Sequence, residues 1–463
     1  MDPEILRKKY PKFVYEKYSY KISGNNLEIF FEFKINPDVV FNPKITIENI
    51  EPERIKKIGE RGLDNLIFNL GMIESLSYWK ATLSKEIIVK AGYLNKEQIK
   101  WWKDLIIDGM GQFFYENKID FRKPNFLNIK SESLKQNKVS ILNQSDKILI
   151  PVGGGKDSIV TLEVLKRTKK NIGFFSLNPT DAALKIIKIS GSKNPIIVRR
   201  KIDEKLLEMN RKGFLNGHTP FSAYLAFLAV LLSEIFDYKY VALSNERSSN
   251  EGNVKYLGKE INHQWSKSFE FEQRFRNYSK KYLSRGVEYF SFLRPLYEIQ
   301  IAKLFSKYTK YFPIFLSCNE AHKTDSGKKR PSNKWCGKCS KCLFAFVILY
   351  PFVKEKELID IFGKNLFKEK GLLPIAEELL GEKRFKPFEC VGTTKESLAA
   401  FYVSWQKAQK ADLPFLLNYF EKRILKKYPK LEKESKQILI SWDIKNNLPK
   451  ELKKLFRVEK VCI

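Results

Sequence analysis

The chain has 463 residues, 43% of them apolar, and carries 84 Lys and Arg against 53 Asp and Glu, a formal charge of +31. That length and apolar content exclude a disordered chain or a disulfide-stapled miniprotein, and predict two or three domains around a large core. The longest uncharged apolar stretch, Phe221 to Ser233, is too short to span a bilayer, and Glu234 closes it. The start, Met1-Asp2-Pro3-Glu4, lacks the basic-then-apolar layout of a signal peptide. A cytoplasmic setting is therefore expected, with the six cysteines reduced. The charge invites a nucleic-acid partner, but abundant Lys, Ile, Phe and Asn also fit a coding bias. Residues 1–150 carry a net +5, residues 255–341 a net +12 and the last 43 residues a net +7. A basic middle segment suits ATP and a second polyanion, whether RNA or a nucleotide-linked metabolite.

In chain order, residues 1–145 read as an N-terminal α+β module. Asn26 to Lys34 alternates, with Leu27, Ile29 and Phe31 on one side, as a half-buried strand does. Ile45 to Ile50 is a second strand. Residues 63–118 read as helices whose Trp79, Trp101, Trp102, Phe113, Phe114 and Tyr115 supply core. The polar stretch Lys130 to Ser145 reads as a linker. Over residues 146–345 strands and helices alternate. Strands are expected at 147–152, 172–177, 195–198 and 240–243, and helices at 157–168, 180–189 and 219–235. The pattern predicts an α/β, doubly wound parallel sheet. Ligands of such sheets bind beyond the carboxyl ends of the strands, so the loops after Val152, Leu177 and Leu243 should share one site. Residues 346–463 read as a mainly helical C-terminal region. Cys462 has no informative context.

The sharpest motif is Ile148-Leu-Ile-Pro-Val-Gly-Gly-Gly-Lys-Asp-Ser158. A strand, a glycine turn and a helix N-terminus make an anion site, because glycines let the backbone approach a phosphate and free amides attract it. Gly153, Gly154 and Gly155 would cradle it, Lys156 adds a cation, Asp157 offers a carboxylate to Mg²⁺ and Ser158 a hydroxyl. Asn178, at the end of the next strand, joins them as a cofactor-binding candidate. A Walker A loop needs Lys followed directly by Ser or Thr, and the dinucleotide fingerprint needs three spaced glycines; neither fits. The alternative is an ordinary glycine-rich turn.

The stretch Ser244-Asn-Glu-Arg-Ser-Ser-Asn-Glu-Gly-Asn253 has no large apolar side chain. It is either a solvated loop or, beside the glycine loop, a substrate loop with Ser244, Asn245, Glu246, Asn250 and Glu251 as ligands. Only three histidines occur, His218, His263 and His322, all in polar contexts of the central region. Cys318, Cys336, Cys339 and Cys342 include a Cys-x-x-Cys-x-x-Cys run. Four thiolates suit tetrahedral zinc, three close ones an iron–sulfur cluster, and free thiols are the remaining option. Cys390, in Lys-Pro-Phe-Glu-Cys-Val-Gly, is either packing or a catalytic thiol.

The glycine loop resembles the Ser-Gly-Gly-x-Asp-Ser loop of the PP-loop ATP pyrophosphatases, which cleave ATP to AMP and pyrophosphate, usually by adenylating a carboxylate or carbonyl. Gly153 departs from that pattern, standing where the superfamily has Ser. With the four cysteines the chain resembles 7-cyano-7-deazaguanine synthase, a PP-loop enzyme with a four-cysteine zinc site. Its insert between the first two cysteines is longer, however, and regions are added at both ends. A second resemblance covers more of the chain. The glycine loop, residues 244–253, His263-Gln-Trp-Ser-Lys267, Trp335 to Cys342 and Lys386 to Gly392 together are similar to the UDP-N-acetylmuramoyl-L-alanyl-L-glutamate epimerases of bacterial peptidoglycan synthesis. This resemblance implies ATP-dependent inversion of a terminal L-Glu to D-Glu through an acyl-adenylate, with AMP and pyrophosphate released. It makes His218, His263, Lys267 and Cys390 the catalytic candidates. A PP-loop tRNA- or nucleobase-modifying ligase and a non-catalytic RNA-binding PP-loop protein are the alternatives.

Overall fold

The computed structural model describes residues 1–134, 138–324, 331–383 and 385–458. Residues 135–137 of the expected linker, and Cys462, lie outside the described residues. Thirteen strands occur among them. β1 (Lys12–Ser23) and β2 (Asn26–Ile35) form a hairpin, followed by β3 (Val39–Phe41), β4 (Lys44–Ile47), β5 (Glu86–Val89) and β6 (Asn128–Ser131). Beyond residue 146 come β7 (Ile148–Pro151), β8 (Ile172–Leu177), β9 (Ile196–Lys201), β10 (Tyr240–Leu243), β11 (Val254–Tyr256), β12 (Lys259–Ile261) and β13 (Glu288–Ser291). Eleven of them form one sheet in the order β13-β10-β7-β8-β9-β4-β2-β1-β5-β6, with β3 on β2. The strands from β13 to β9 are parallel, β4 joins β9 antiparallel with Ile47 opposite Val198, and β1, β5 and β6 are parallel. The sheet therefore runs without a break across position 145.

The central parallel strands β7, β8 and β10 are largely apolar because both their faces are covered. Ile148 and Ile150 of β7 enter one core and Leu149 the other; Tyr240 and Ala242 of β10 divide from Val241 and Leu243 in the same way. Helices Glu60–Trp79, Phe221–Phe236 and Phe269–Tyr282 cover one face. Helices Lys156–Leu165, Asp181–Ile189, Glu298–Phe305 and Ser340–Leu349 cover the other. The result is a mixed α/β fold with a large, parallel-rich sheet. Later helices, including Glu355–Phe362, Thr394–Lys407 and Leu431–Ile440, extend the second core. No helix among the described residues is long and apolar enough to cross a membrane.

β2 follows the expected alternation, with Leu27, Ile29, Phe31 and Phe33 buried. β1, its partner, alternates over its second half, with Tyr18 and Tyr20 against the core and Lys17 and Lys21 paired with Glu32 and Glu28 on the outer face. The expected helical stretch 63–118 is interrupted by β5. Lys130 and Ser131 of the expected linker belong to β6, and Ser140 bridges to Ser284. Trp79, Trp102, Phe113 and Phe114 are core, as their clustering predicts. Tyr115 instead packs on Phe388, with ring centroids 5.4 Å apart, and so supports the segment that carries Cys390.

Candidate active site

The glycine loop leaves β7 at its carboxyl end and enters the helix Lys156–Leu165. Gly154 has φ +102°, and a Cβ there would lie 3.2–3.3 Å from Ala182, Ala183 N and Thr180 Oγ1. Only glycine fits that turn. A Cβ on Gly153 would meet nothing within 4 Å. The helix begins at Gly155 with no side-chain cap, which leaves first-turn amides available to an anion. The Ser158 hydroxyl donates to the Gly155 carbonyl at 2.9 Å. Asn178 is committed elsewhere: its amide exchanges two hydrogen bonds with the Arg200 backbone, at 2.8 and 2.9 Å.

Lys156 is 4% exposed, and its ammonium contacts the carboxylates of Asp157 and Glu298. Burial presses this ammonium toward neutrality, but the two carboxylates outweigh burial and raise its pKa. Burial likewise opposes the charge on Asp157, and Lys156 and Lys341 overcome it, so its pKa falls. Glu298 opens the helix Glu298–Phe305 and was not anticipated; only its position in the fold brings it to the loop. Oxygens of Asp157, Glu246 and Glu298 all lie within 4.8 Å of one another. Hard carboxylate oxygens in such a set suit Mg²⁺.

Residues 244–253 form a buried polar loop, not a solvated one. Asn245, Glu246, Ser248, Ser249 and Asn253 are all buried. Arg294, fully buried, makes that possible. One guanidinium nitrogen donates to the Glu246 carbonyl at 2.6 Å and to Ser249 Oγ at 2.9 Å; the other donates to the Lys267 carbonyl and to Ser291 Oγ at 3.2 Å. Asn245 also donates to Ser291 Oγ at 3.1 Å. The Ser244 hydroxyl is buried with no hydrogen-bond partner among the described residues. Burial pushes the Glu246 carboxyl up to about 7, with Lys267 opposing. Asn250 and Glu251 face the other way. Asn250 accepts from the Phe269 N–H at 2.8 Å, and Glu251 pairs with Lys386 at 3.3 Å. Both line a cavity of about 610 Å³ together with Arg247, Trp265 and Tyr297.

The four catalytic candidates come together. Lys267 Nζ lies 3.2 Å from Cys390 Sγ, and Cys390 Sγ lies 3.9 Å from His263 Nε2. The His263 and His218 rings are 4.7 Å apart at their centroids, and His263 Nδ1 meets the Gln112 amide oxygen. Burial lowers the His263 pKa to about 4, and Lys267 adds to the effect. Burial also lowers His218, with His263 contributing. Lys267 is pressed toward neutrality by burial, yet Cys390 and Glu246 prevail and raise its pKa. Its charge acts on Asp157 and Glu246 as well, which joins the thiol to the glycine loop. His322 ends the short helix Asn319–His322, immediately after Cys318.

The Sγ atoms of Cys318, Cys336, Cys339 and Cys342 lie within 4.8 Å of one another. Three of the separations are 3.9, 3.6 and 3.5 Å. Disulfide sulfurs sit at about 2.05 Å. Sulfurs around a tetrahedral ion with 2.3 Å metal–sulfur bonds sit about 3.8 Å apart. Gly337 takes φ +64°, and the Lys338 N–H points at Cys336 Sγ at 3.4 Å, a donor suited to a thiolate. This set could hold a metal ion.

Loops converging at the carboxyl edge of a parallel sheet are the ligand-binding plan of open α/β enzymes, and this chain is built on that plan. Comparison with known proteins is more specific. The model of the MurL N-terminal domain matches residues 5–292, and that of the MurL C-terminal domain matches residues 314–435. Three proteins named UDP-N-acetyl-alpha-D-muramoyl-L-alanyl-L-glutamate epimerase are similar to it. The one from a Micromonospora species is 34% identical over 349 residues, 74% of this chain and 76% of the relative. That from Salinispora tropica is 31% identical over 412 residues, 87% and 86% of the two chains. That from Xanthomonas oryzae pv. oryzae is 31% identical over 343 residues, 73% and 74%. The chain belongs to the MurL family.

Proposed function

We propose that this chain inverts the terminal L-Glu of UDP-N-acetylmuramoyl-L-alanyl-L-glutamate to D-Glu after ATP has adenylated a glutamate carboxylate. The names of its relatives support the substrate and the outcome. The observation that carries the mechanism is that Lys267 belongs to both halves of the site, 3.2 Å from Cys390 and within electrostatic reach of Asp157 and Glu246. A proton next to a free carboxylate resists removal because a dianion results. Adenylation converts the carboxylate into an activated acyl group and acidifies that proton.

In this reading the chain follows the PP-loop plan, and the Gly153–Ser158 backbone and Lys156 hold phosphates. Asp157, with Glu246 and Glu298, would hold Mg²⁺, which when bound offsets phosphate charge. The neutral His263 and the Cys390 thiol, 3.2 Å from the Lys267 ammonium, are the proton-transfer groups, with His218 behind them. The cavity beside Asn250 and Glu251 receives the remainder of the nucleotide-linked substrate. Cys318, Cys336, Cys339 and Cys342 would hold a structural zinc ion, since four thiolates at tetrahedral spacing leave no open position.

The test is turnover of the muropeptide precursor with ATP in heavy water. Deuterium at the glutamate α-carbon, together with AMP and pyrophosphate, is expected. Inversion without ATP, or ATP–pyrophosphate exchange stimulated by RNA in place of the precursor, overturns the reading.

A further inference from the structure

The helix Ser340–Leu349, which carries Cys342 and is preceded by Cys339 at its N-cap, also holds the segment that carries Cys390. Lys341 stands between Cys339 and Cys342 and is 6% exposed. Its backbone N–H donates to Glu389 Oε2 at 2.7 Å, and its ammonium donates to the carbonyl of Cys390. The same ammonium lies 3.7 Å from Glu298. One residue thus grips two adjacent positions of the segment 386–392. The segment is held elsewhere by the Lys386–Glu251 ion pair at 3.3 Å and by neutral amide contacts, from Asn253 to the Pro387 carbonyl at 2.7 Å and from Gln264 to the Val391 carbonyl at 3.4 Å; Lys341 is the cation bonded to the Cys390 backbone itself. Gly392 packs so closely on this helix that a Cβ there would lie 2.5 Å from the Phe344 ring. A buried ammonium must be bonded, and a bond with a charged donor is stronger than a neutral one.

We propose that Lys341 is a positioning residue that fixes the Cys390 backbone so that the thiol stays 3.2 Å from Lys267, coupling the cysteine-cluster helix to proton transfer. The proposal rests on the reading of Cys390 as a proton-transfer group. Hydrogen bonds weaken steeply with distance, so a 1 Å drift of the segment separates the thiol from its cation. The ammonium–thiol contact is then lost, while the glycine loop, held by its own backbone, is left in place.

The experiment uses the full chain with Lys341→Met and Lys341→Arg, with metal content and melting recorded for each. In Lys341→Met, ATP–pyrophosphate exchange with the muropeptide precursor reports the lost contact with Glu298 and is measured separately. Deuterium incorporation at the α-carbon should fall about 10- to 100-fold beyond any fall in exchange, the usual range for lost supporting contacts. The pH midpoint for iodoacetamide alkylation of Cys390, read by peptide mass spectrometry, should rise by about one unit. Lys341→Arg, which keeps a donor within reach, should recover most of both. An unchanged alkylation midpoint in Lys341→Met overturns the proposal. Should that variant lose metal, Glu389→Gln, which weakens the same grip from the other side, must raise the midpoint; no rise there overturns the proposal as well. Cys390→Ala separates the two levels of argument: wild-type deuterium incorporation in that variant refutes the parent reading, whatever Lys341 does.

Discussion

Two neighbouring glycines of the proposed phosphate loop should respond in opposite ways to a side chain. Gly154 has φ +102°, where an L residue costs about 1–2 kcal/mol. Its new Cβ would also sit 3.2–3.3 Å from Ala182, Ala183 N and Thr180 Oγ1. Crowding of that kind adds about 1–3 kcal/mol. Gly154→Ala should therefore strain the loop by about 2–5 kcal/mol, relieved by moving the backbone away from the proposed phosphate position. Carried into binding, that is an ATP affinity loss of about 30- to 5,000-fold. Gly153→Ser meets open space, with no atom within 4 Å of the Cβ, and restores the hydroxyl that the PP-loop pattern has there. A hydrogen bond to a charged group contributes up to about 1.5–3 kcal/mol. ATP binding by Gly153→Ser should accordingly equal wild type or exceed it by about tenfold. Calorimetric titration with MgATP, with a melting scan as control, reads both. Wild-type melting and wild-type affinity together in Gly154→Ala, or loss of binding in Gly153→Ser, would refute the assignment of this turn as the phosphate cradle.

Asp157→Asn should abolish pyrophosphate release while the far-ultraviolet spectrum and melting stay near wild type; retained turnover contradicts the role given to this carboxylate. Metal analysis of purified protein should find zinc near one equivalent, lost in Cys339→Ser, and active metal-free protein would remove the structural-zinc reading. Glu396 is fully buried in the capping box of helix Thr394–Lys407, and burial raises its pKa from 4.5 to about 7. The folded state then keeps a proton between pH 4.5 and 7 that the unfolded state releases, so the group's contribution to stability declines as pH rises through that window. The decline approaches about 3 kcal/mol. Urea titrations of Glu396→Gln against wild type should show the variant gaining relative stability from pH 4.5 to 7 and levelling above; a difference independent of pH contradicts the burial argument.

The β/α alternation beyond residue 146 was legible where the parallel strands are short apolar runs; β8 and β10 fall at the expected residues, whereas β13, Glu-Tyr-Phe-Ser, carries no such run. The alternation of Tyr18, Tyr20 and Ile22 with Lys17, Ser19 and Lys21 marks β1, but the partners of Lys17 and Lys21 on β2 are invisible to a local pattern. The same limit hid Glu298 and Arg294. Each is a single charged residue in an ordinary context, placed at the site by the sheet order alone. The loop 244–253 was visible as an anomaly, polar throughout, but whether it met solvent or the interior depended on Arg294. Asn178 had the right address in the topology, at the end of β8, while its side chain faces the β9 backbone. The basic surplus of residues 255–341 does not mark one surface. Lys341 is buried and Lys267 half-buried at the site, whereas Lys280, Lys281 and Lys310 pair outside with Glu288, Glu97 and Glu163.

The charges of the pocket account for how two steps can share it. Lys156, Lys267 and Lys341 face Asp157, Glu246 and Glu298, so cations and carboxylates balance before any ligand arrives. Buried charges persist only when paired, so an entering phosphate must take a partner from the existing set. Lys156 is the ammonium that can turn to it, since it opens the helix behind the glycine loop. Asp157 and Glu298 are then short of a cation, a deficit that a divalent ion arriving with the nucleotide fills. Lys267, whose nearest partner is the Cys390 thiol 3.2 Å away, meets that exchange only through its charge on Asp157 and Glu246. Under the proposed function, carboxylate activation would rearrange charge at the glycine-loop end and leave the ammonium–thiol contact in place for the proton transfer that follows.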